Sequence, residues 1–324
     1  MPLQKVFDEN PERRYIMFGG KGGLGKTTFS AATAFWLAKH GYKSLVFSVD
    51  PQASLSDIFQ RDIFGQGAVE IMPNLYAQEI DADQRIREYQ DEIRQQIRDM
   101  YGLDQVPEEI ENYIQAAAAE PAMEESAIFD AVVDIVVGAD YDYYIYDLVP
   151  LGHALYYLSM ASVYDEWIDK ITALRAEMEE YSQVAAVMQR DRESEEDAIL
   201  RELQYIKERI NKSSGILTDR QRTAFFFVVI PEEMAILDTK KAAGLFAKYS
   251  VPLSGYIVNR VIPEELAQQD IPQYLRHRLE MQKGHLDTIQ RELGGDVLAY
   301  IPEMERDITG LSMIEKMANE MFGG

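Results

Sequence analysis

Cysteine is absent from this chain of 324 residues. The absence excludes disulfide bonds, cysteine-ligated iron–sulfur clusters, thiolate catalysis and zinc sites built on cysteine. We therefore expect neither zinc nor an iron–sulfur cluster among its cofactors.

Positive charge and long apolar runs are scarce as well. The 32 Lys and Arg residues against 55 Asp and Glu give a net charge of −23, which repels nucleic acid, so we expect no nucleic-acid partner. No apolar run approaches the ~20 residues of a membrane span. The first residues, Met1–Lys5, lack the basic and apolar regions of a signal peptide. The expected location is cytoplasmic.

The most informative stretch that is present is glycine-rich, at Gly19–Thr28, between an apolar strand and a predicted helix. Glycines let the backbone curl so that several N–H groups face one anion, and a helix N-terminus adds partial positive charge. The spacing Gly20-x-x-x-x-Gly25-Lys26-Thr27 fits the phosphate-loop pattern at every fixed position. The predicted cofactor-binding residues here are Gly20, Lys21, Gly22, Gly23, Leu24, Gly25, Lys26, Thr27 and Thr28.

Strands and helices alternate around this loop. Ser44–Val49 is predicted as a second strand that pairs in parallel with Tyr15–Phe18 and brings Asp50 to the edge of the loop. The fold class is therefore α/β, a P-loop NTPase with a mostly parallel, doubly wound sheet. Further strands are predicted at 76–80, 141–146, 224–230, 253–258 and 297–301.

Two stretches have helical periodicity instead. Apolar residues fall in steps of three and four at 84–100 and 171–188, and a further helix is expected to end at Ser213-Ser214-Gly215. Residues 128–137 are ambiguous, and a helix is preferred because Gly138 would cap it. We predict an ATPase core of residues 1–82, 127–156 and 220–324, with an inserted helical subdomain of 83–126 and 157–219.

ATP hydrolysis needs a phosphate cradle, a magnesium site and a positioned water. Lys26 is predicted to bridge the β- and γ-phosphates, and Thr27 to coordinate Mg²⁺ through its hydroxyl. Asp147 follows an apolar strand and could hold the magnesium shell, directly or through water. Asp50 is the candidate to orient or activate the attacking water. For both carboxylates the alternative is an ordinary helix cap.

Lys21 and His153 have less certain roles. One loop rarely needs two lysines on the same phosphates, so Lys21 is a candidate to reach a nucleotide bound by a second subunit. His153 could contact phosphate or transmit a switch, although a lone histidine is more often structural. The predicted catalytic residues are thus Asp50, Lys21 and Lys26.

Four stretches together carry a family resemblance. Lys21–Thr27 resembles the deviant phosphate loop of the dimeric ATPases that include MinD, the nitrogenase iron protein and the arsenite-pump ATPases. Asp50–Asp57 and Tyr141–His153 resemble the first and second switches of the ArsA-like group. Pro231–Ala235 and Val258–Val261 match its late segments. The chain resembles the ArsA-like ATPases, which include arsenite-pump ATPases and targeting factors for tail-anchored membrane proteins.

The resemblance implies a homodimer with ATP and Mg²⁺ at the interface, where Lys21 acts across to the partner and Asp50 is the catalytic aspartate. It implies that Asn259 holds adenine, and that the inserted helices carry a client or effector. The residues that would line the base and ribose are Glu232, Pro302, Glu303 and Met304.

The sequence also departs from this family. Without cysteine, arsenite activation through cysteine is not expected, and residues 259–265 lack the Cys-x-x-Cys that holds a bridging zinc in many targeting factors. Leu148, Val149 and Leu151 stand where the second switch more often has small and hydroxyl residues, which could change the rate or coupling of hydrolysis.

Three functions remain open. A targeting chaperone would present an apolar groove to a client membrane segment, although the same stripes could be the core of a small helical subdomain. The alternatives are an ATPase that energises a membrane-associated transporter or another metabolic system, and a regulatory switch with little turnover. MinD-like membrane cycling is disfavoured because the face of the C-terminal stripe lacks the basic residues that anionic lipid attracts; that stripe is Leu311, Ile314, Met317, Met321 and Phe322. The adaptable groove would be supplied by Met100, Met123, Met160, Met178 and Met188.

Overall fold

An eight-stranded sheet forms the centre of the protein in the computed structural model, which describes residues 2–8, 10–118, 121–138, 140–148, 170, 204, 205, 207–248, 251 and 253–323. The strands are β1 (Tyr15–Gly19), β2 (Ser44–Ser48), β3 (Val69–Met72), β4 (Leu75–Glu79), β5 (Tyr143–Asp147), β6 (Thr223–Val229), β7 (Leu253–Val261) and β8 (Val297–Pro302). Their order across the sheet is β3-β4-β2-β5-β1-β6-β7-β8. Only the edge pair β3–β4 is antiparallel, so the predicted mostly parallel α/β fold is confirmed.

One predicted pairing is wrong. β1 and β2 are parallel members of the same sheet, but they are not neighbours, because β5 lies between them and pairs with both. The strand–helix–strand pattern cannot exclude the later insertion of a strand. The consequence for the site is that Asp147, on β5, stands next to the phosphate loop, and Asp50 is one strand further away.

The central strands are buried on both faces, which is why their sequences are nearly continuous apolar runs. Every residue of β1, β2, β5 and β6 is buried. Three consecutive phenylalanines, Phe225–Phe227, lie within β6 and are among the largest side chains of the core. A sheet buried in this way holds the strand ends rigidly, and the site is built on those ends.

Helices follow the strands in the order that periodicity predicts. They are α1 (Pro2–Asp8), α2 (Lys26–Lys39), α3 (Ser54–Phe59), α4 (Ala82–Tyr101), α5 (Glu108–Ala118), α6 (Pro121–Val137), α7 (Glu233–Lys248), α8 (Gln273–Leu293) and α9 (Leu311–Phe322). A helical segment also covers 207–218, so the predicted helix end at Ser213-Ser214-Gly215 is wrong. Strand β3 was not predicted.

Helix α6 is anchored to the sheet at its C-terminal end. The hydroxyl of Tyr15 donates a hydrogen bond to the carbonyl of Val136 (2.8 Å), and that of Tyr144 donates to the carbonyl of Gly138 (2.9 Å). These bonds satisfy carbonyls that a helix end leaves free. The preferred helix at 128–137 is present, but it begins earlier, at Pro121, so the predicted domain boundary at 126/127 falls inside α6.

Helices α4, α5 and α6 pack against one another beside the sheet. The division into a core and an inserted subdomain stays a prediction, since residues 149–169 and most of 171–206 lie outside the described residues. Within the part of the chain that the structure describes, no helix is both long and apolar enough to cross a membrane.

Candidate nucleotide site

The candidate site lies at the carboxyl edge of the parallel strands, where ligands of open α/β sheets bind. The phosphate loop, residues 20–27, connects β1 to α2. Asp147 ends β5, and Asp50 follows β2 by two residues. These groups come from separate parts of the chain and meet because their strands run in parallel in one sheet.

Two glycines of the loop leave no room for a side chain. Gly20 has φ 148°, and a Cβ there would stand 2.7 Å from the carbonyl oxygen of Val228. Gly25 has φ 99°, and a Cβ there would stand 2.6 Å from the amide nitrogen of Asn259. The backbone of the loop thus approaches β6 and β7 more closely than any other residue type allows.

Lys26 is a nearly buried cation at the start of α2. Lys26 is 5% exposed, and its ammonium donates a hydrogen bond to the carbonyl of Lys21 at 3.1 Å. Burial lowers the pKa of Lys26, whereas the charges of Asp147 and Asp50 oppose that shift. Among the described residues Lys26 makes no ion pair within 4 Å, so its charge is available to an anion such as phosphate.

Thr27 and Asp147 form the second part of the site. The hydroxyl of Thr27 donates to Oδ2 of Asp147 at 2.6 Å. Asp147 is fully buried, and its Oδ1 finds no hydrogen-bond partner among the described residues. Burial raises the pKa of Asp147 to about 6, although the Thr27 hydrogen bond and the Lys26 charge act in the opposite direction. A hydroxyl and an unpartnered carboxylate oxygen fit the oxygen ligands that Mg²⁺ prefers.

Asp50 is held in a turn beside these groups. Its backbone N–H donates to the hydroxyl of Ser48 (3.1 Å), and its Oδ1 accepts from the N–H of Gln52 (3.0 Å). The next turn residue, Ala53, has a left-handed φ of 52° and leads into α3. Asp50 is 9% exposed, and its charge acts on both Lys26 and Asp147. The sheet therefore brings together Lys26, Asp50 and Asp147, the three charged residues that the sequence predicts to bind the phosphates, the water and the metal.

Lys21 lies on the outer rim of the loop. Its ammonium pairs with Oδ2 of Asp238 on α7 at 3.0 Å, with 57% of the lysine side chain exposed. Its ammonium makes no hydrogen bond to another loop residue among those described, although its backbone carbonyl accepts from Lys26. The neighbouring Gly22 and Gly23 are exposed, whereas Leu24 is buried and Thr28 is half-buried.

The predicted base-side residues lie at or just after the carboxyl ends of β6, β7 and β8, and Asn259 is itself within β7. Asn259 is 6% exposed, and its amide donates to the carbonyl of Leu24 at 2.8 Å. Glu232 and Glu303 are exposed, and in the described chain neither side chain bonds to the loop. Pro302 ends β8, and Met304 packs partly buried against the core. Of this group, only Asn259 makes a hydrogen bond to the phosphate loop within the described part of the chain.

Two polar residues at this edge were missed by sequence reasoning. Glu79 ends β4 and is 1% exposed, and its carboxylate accepts hydrogen bonds from α3. Its signal was present, since it is a carboxylate next to the last residue of the predicted strand 76–80. Arg260 has a left-handed φ of 54° and donates to the carbonyl of Gly23 at 2.9 Å. No sequence pattern that we used would have selected Arg260.

The stretch that resembles the second switch, Tyr141–His153, is described as far as Leu148. Leu148 is buried, and its N–H donates to the carbonyl of Phe18 at 3.1 Å. Val149, Leu151 and His153 lie outside the described residues, as do Met160, Met178 and Met188. The predictions for them stay predictions.

Comparison with known proteins bears directly on this site. The family model described as anion-transporting ATPase, ArsA_ATPase, matches residues 13–323. The chain belongs to this family. The family resemblance and the ATPase activity that the sequence predicts are thereby confirmed.

Individual relatives of this ATPase family match over nearly the whole chain. The "Putative arsenical pump-driving ATPase 2" of Aquifex aeolicus is 30% identical over 94% of this chain and 98% of its own length. The "ATPase GET3C" of Arabidopsis thaliana is 30% identical over 95% of this chain and 82% of its own. The "ATPase get3" of Pyrenophora tritici-repentis is 28% identical over 98% and 93%. Relatives with both kinds of name therefore align over nearly the whole chain.

Proposed function

We propose that this ATPase is a homodimer that hydrolyses Mg-ATP and whose nucleotide state opens and closes a helical client-binding subdomain, as in targeting factors for tail-anchored membrane proteins. The observation that carries the proposal is the meeting of Lys26, Asp50 and Asp147 at one buried edge. A lysine for phosphate, a carboxylate for the metal and a carboxylate for water are the groups that phosphoryl transfer to water requires.

Each residue would act on its own part of the reaction. Lys26 and the loop N–H groups bind the phosphates and hold the γ-phosphoryl group in position. Thr27 and Asp147 hold a magnesium ion, which when bound neutralises the charge that develops on the phosphate oxygens. Asp50 orients a water towards the γ-phosphorus and accepts its proton. Asn259 and the loop Pro302–Met304 would hold the base and ribose.

Lys21 would leave its own chain to act across the dimer. Its ion pair with Asp238 is half-exposed, and such pairs contribute only about 0–1 kcal/mol. The contact is therefore weak enough to be exchanged for a charge-assisted bond to the phosphates of the partner's nucleotide, which is stronger.

The helical region would hold the client. The apolar stripe of α4 is incompletely covered: Ile93 and Ile97 are half-buried and Tyr89 is 48% exposed. Leu103 and Ile110, between and within the neighbouring helices, are exposed as well. The stripe of Tyr89, Ile93 and Ile97 lies along one face of α4 and is partly exposed, and an apolar stripe of this kind can receive an apolar helix.

The hydrolysis is tested with Asp50→Asn, with Asp62→Asn, an exposed residue in the loop after α3, as the control. We expect Asp50→Asn to lower kcat at least about 100-fold while the Kd for ATP stays within about threefold, because the general base is lost and the phosphate cradle is kept. Asp62→Asn should match the wild type. A low wild-type rate that Asp50→Asn leaves unchanged would instead indicate a regulatory switch.

The client is tested by mixing the protein with a tail-anchored transmembrane segment in ATP and in ADP. We expect a stable complex in ATP that Tyr89→Asp weakens at least about tenfold, since aromatic residues often dominate an interface. Tyr274→Asp changes a tyrosine on α8 that is even more exposed (69%) and should have no effect. Absence of binding to any apolar helix in either nucleotide state would contradict the chaperone function.

The competing candidate is an ATPase that energises a membrane transporter, which the name of the Aquifex relative favours. The chain offers no cysteine for a thiolate metalloid site. Stimulation of hydrolysis by arsenite, without any effect of a tail-anchored segment, would support the transporter function over the chaperone.

A further inference from the structure

Glu79 is the buried charged residue at the nucleotide edge that the proposed reaction leaves without a role. It ends β4, 1% exposed, and lies close enough for the charge of Asp50 to raise its pKa, although burial is the larger cause of that increase. Burial of a carboxylate is costly unless it is hydrogen-bonded, so its contacts indicate its purpose.

Those contacts all go to the start of α3. Oε1 of Glu79 accepts the N–H of Leu55 (2.5 Å), and Oε2 accepts both the N–H (3.1 Å) and the hydroxyl (2.5 Å) of Ser56. The residue that flanks α3, Ala53, supplies no side-chain cap. Glu79, at the end of β4, therefore acts as the N-terminal cap of α3, since it satisfies N–H groups that a helix start leaves free.

The start of α3 is also the end of the turn that carries Asp50. The carboxylate of Asp50 accepts the N–H of Gln52, and the N–H of Asp57 donates to the carbonyl of Ala53. Between them, Ala53 has a left-handed φ of 52°, which is unfavourable for a residue with a Cβ. A turn with such a residue keeps its shape only if both of its ends are fixed. β2 fixes one end and Glu79 fixes the other.

Ser56 extends the same contact to the following loop. Its hydroxyl donates to Glu79 and accepts the N–H of Ile63 at 3.1 Å, and the N–H of Gly65 donates to the backbone carbonyl of Glu79 (3.1 Å). The end of β4 thus gathers the residues on both sides of α3.

We propose that Glu79 is a positioning residue for ATP hydrolysis, which holds the start of α3 and thereby sets the position of Asp50 against the γ-phosphate. The proposal rests on the proposed role of Asp50. A displacement of about 1 Å at a reacting group can lower the rate about 100-fold, so a cap that fixes this turn affects turnover without touching ATP.

The test compares Glu79→Gln, Glu79→Ala and Ser56→Ala with Glu70→Gln, a control on the adjacent strand β3 whose side chain is exposed. We expect kcat, counted per titrated nucleotide site, to fall at least about tenfold in Glu79→Ala and less in Glu79→Gln, which keeps one acceptor oxygen. KM for ATP should stay within about threefold. Amide hydrogen exchange of residues 50–60 should accelerate in both Glu79 variants, and Glu70→Gln should match the wild type.

The double variant Glu79→Gln with Ser56→Ala separates a shared contact from two independent effects. We expect the two losses in kcat to be non-additive, because both changes remove the same contact. A wild-type kcat in Glu79→Gln, or a lowered thermal stability with kcat per site unchanged, would overturn the proposal. If Asp50→Asn is inactive in the same assay, such a result contradicts only the positioning role of Glu79 and leaves the proposed role of Asp50 intact. If Asp50→Asn is active, the role of Asp50 fails instead.

Discussion

The nucleotide edge of the sheet and the packed helices α4–α6 place charge in opposite ways. At the edge, Lys26, Glu79 and Asp147 are all at most 5% exposed. On the helices, charges pair at the surface: Arg94 forms bonds of 2.6–3.2 Å to Glu111, and Arg85 meets Asp134 at 3.1 Å. Exposed pairs contribute little to stability, whereas buried charges are costly unless a partner or ligand compensates them. The costly charges therefore mark the site.

One strand end joins the two regions. Glu79 caps α3, which leads from Asp50, and two residues later Asp81 caps α4 through the N–H of Gln84 (3.1 Å). Nucleotide-dependent movement of the Asp50 segment would thus reach α4, the first helix of the proposed client region, through residues 79–81.

The largest expected effect comes from removing the buried cation. Lys26→Ala should weaken ATP binding by roughly 100-fold, because charge-assisted bonds to phosphate are about twice as strong as neutral ones. Lys39→Ala, at the exposed end of the same helix, should leave binding unchanged. Calorimetric titration with ATP measures both, and equal affinities in the two variants would contradict the proposed phosphate role.

Asp147→Asn should stabilise the nucleotide-free protein and, in contrast, weaken its binding of ATP. The substitution removes a buried charge with an unpartnered oxygen, so the nucleotide-free protein should gain about 1–3 kcal/mol in free energy of unfolding. Its Mg²⁺-dependent affinity for ATP should fall at the same time. Denaturant unfolding without nucleotide, and ATP binding with and without Mg²⁺, check the two parts. A loss of stability would mean that the carboxylate is compensated within the fold.

Glycine-to-alanine substitutions should have opposite effects on stability in the phosphate loop and in a helix. Gly25→Ala adds a Cβ 2.6 Å from Asn259 in a left-handed backbone, so it should cost about 1–3 kcal/mol and impair ATP binding. Gly244→Ala, in α7, adds a Cβ that meets nothing within 4 Å, and it should stabilise the protein by about 0.5–1 kcal/mol. Thermal unfolding measures both, and effects of the same sign would contradict this comparison.

The smallest effect is expected on the helices. Hydrogen bonds from Arg94 and Gln115 lower the pKa of Glu111. A carboxylate whose pKa is lower in the folded state adds stability above its unfolded pKa, and that stability is lost as the pH falls through the lowered value. Arg94→Ala should therefore reduce the melting temperature by less than about 3 °C at pH 7, and by less again at acid pH. A larger fall at pH 7 would show that this pair is structurally essential.

The sequence predicted most of the elements, but not their neighbours. The strands and helices around the loop were expected close to their observed bounds, because apolar periodicity reports local structure. The position of β5 between β1 and β2 was not expected, since the order of strands depends on how the whole sheet is assembled. The placement of Asp147 next to Thr27, 120 residues away in the chain, follows from that order.

By itself, the sequence determined the phosphate loop and the family. Gly20, Gly25, Lys26 and Thr27 lie within eight residues of the chain, so their spacing fixes the local backbone and the chemistry that it can perform. The tertiary structure alone decided what surrounds the loop: Asn259 contacts Leu24 across 235 residues, and Glu79 reaches α3 across 24. Such contacts exist only after distant segments have packed into one sheet, because no local preference of the chain specifies which strand ends will meet.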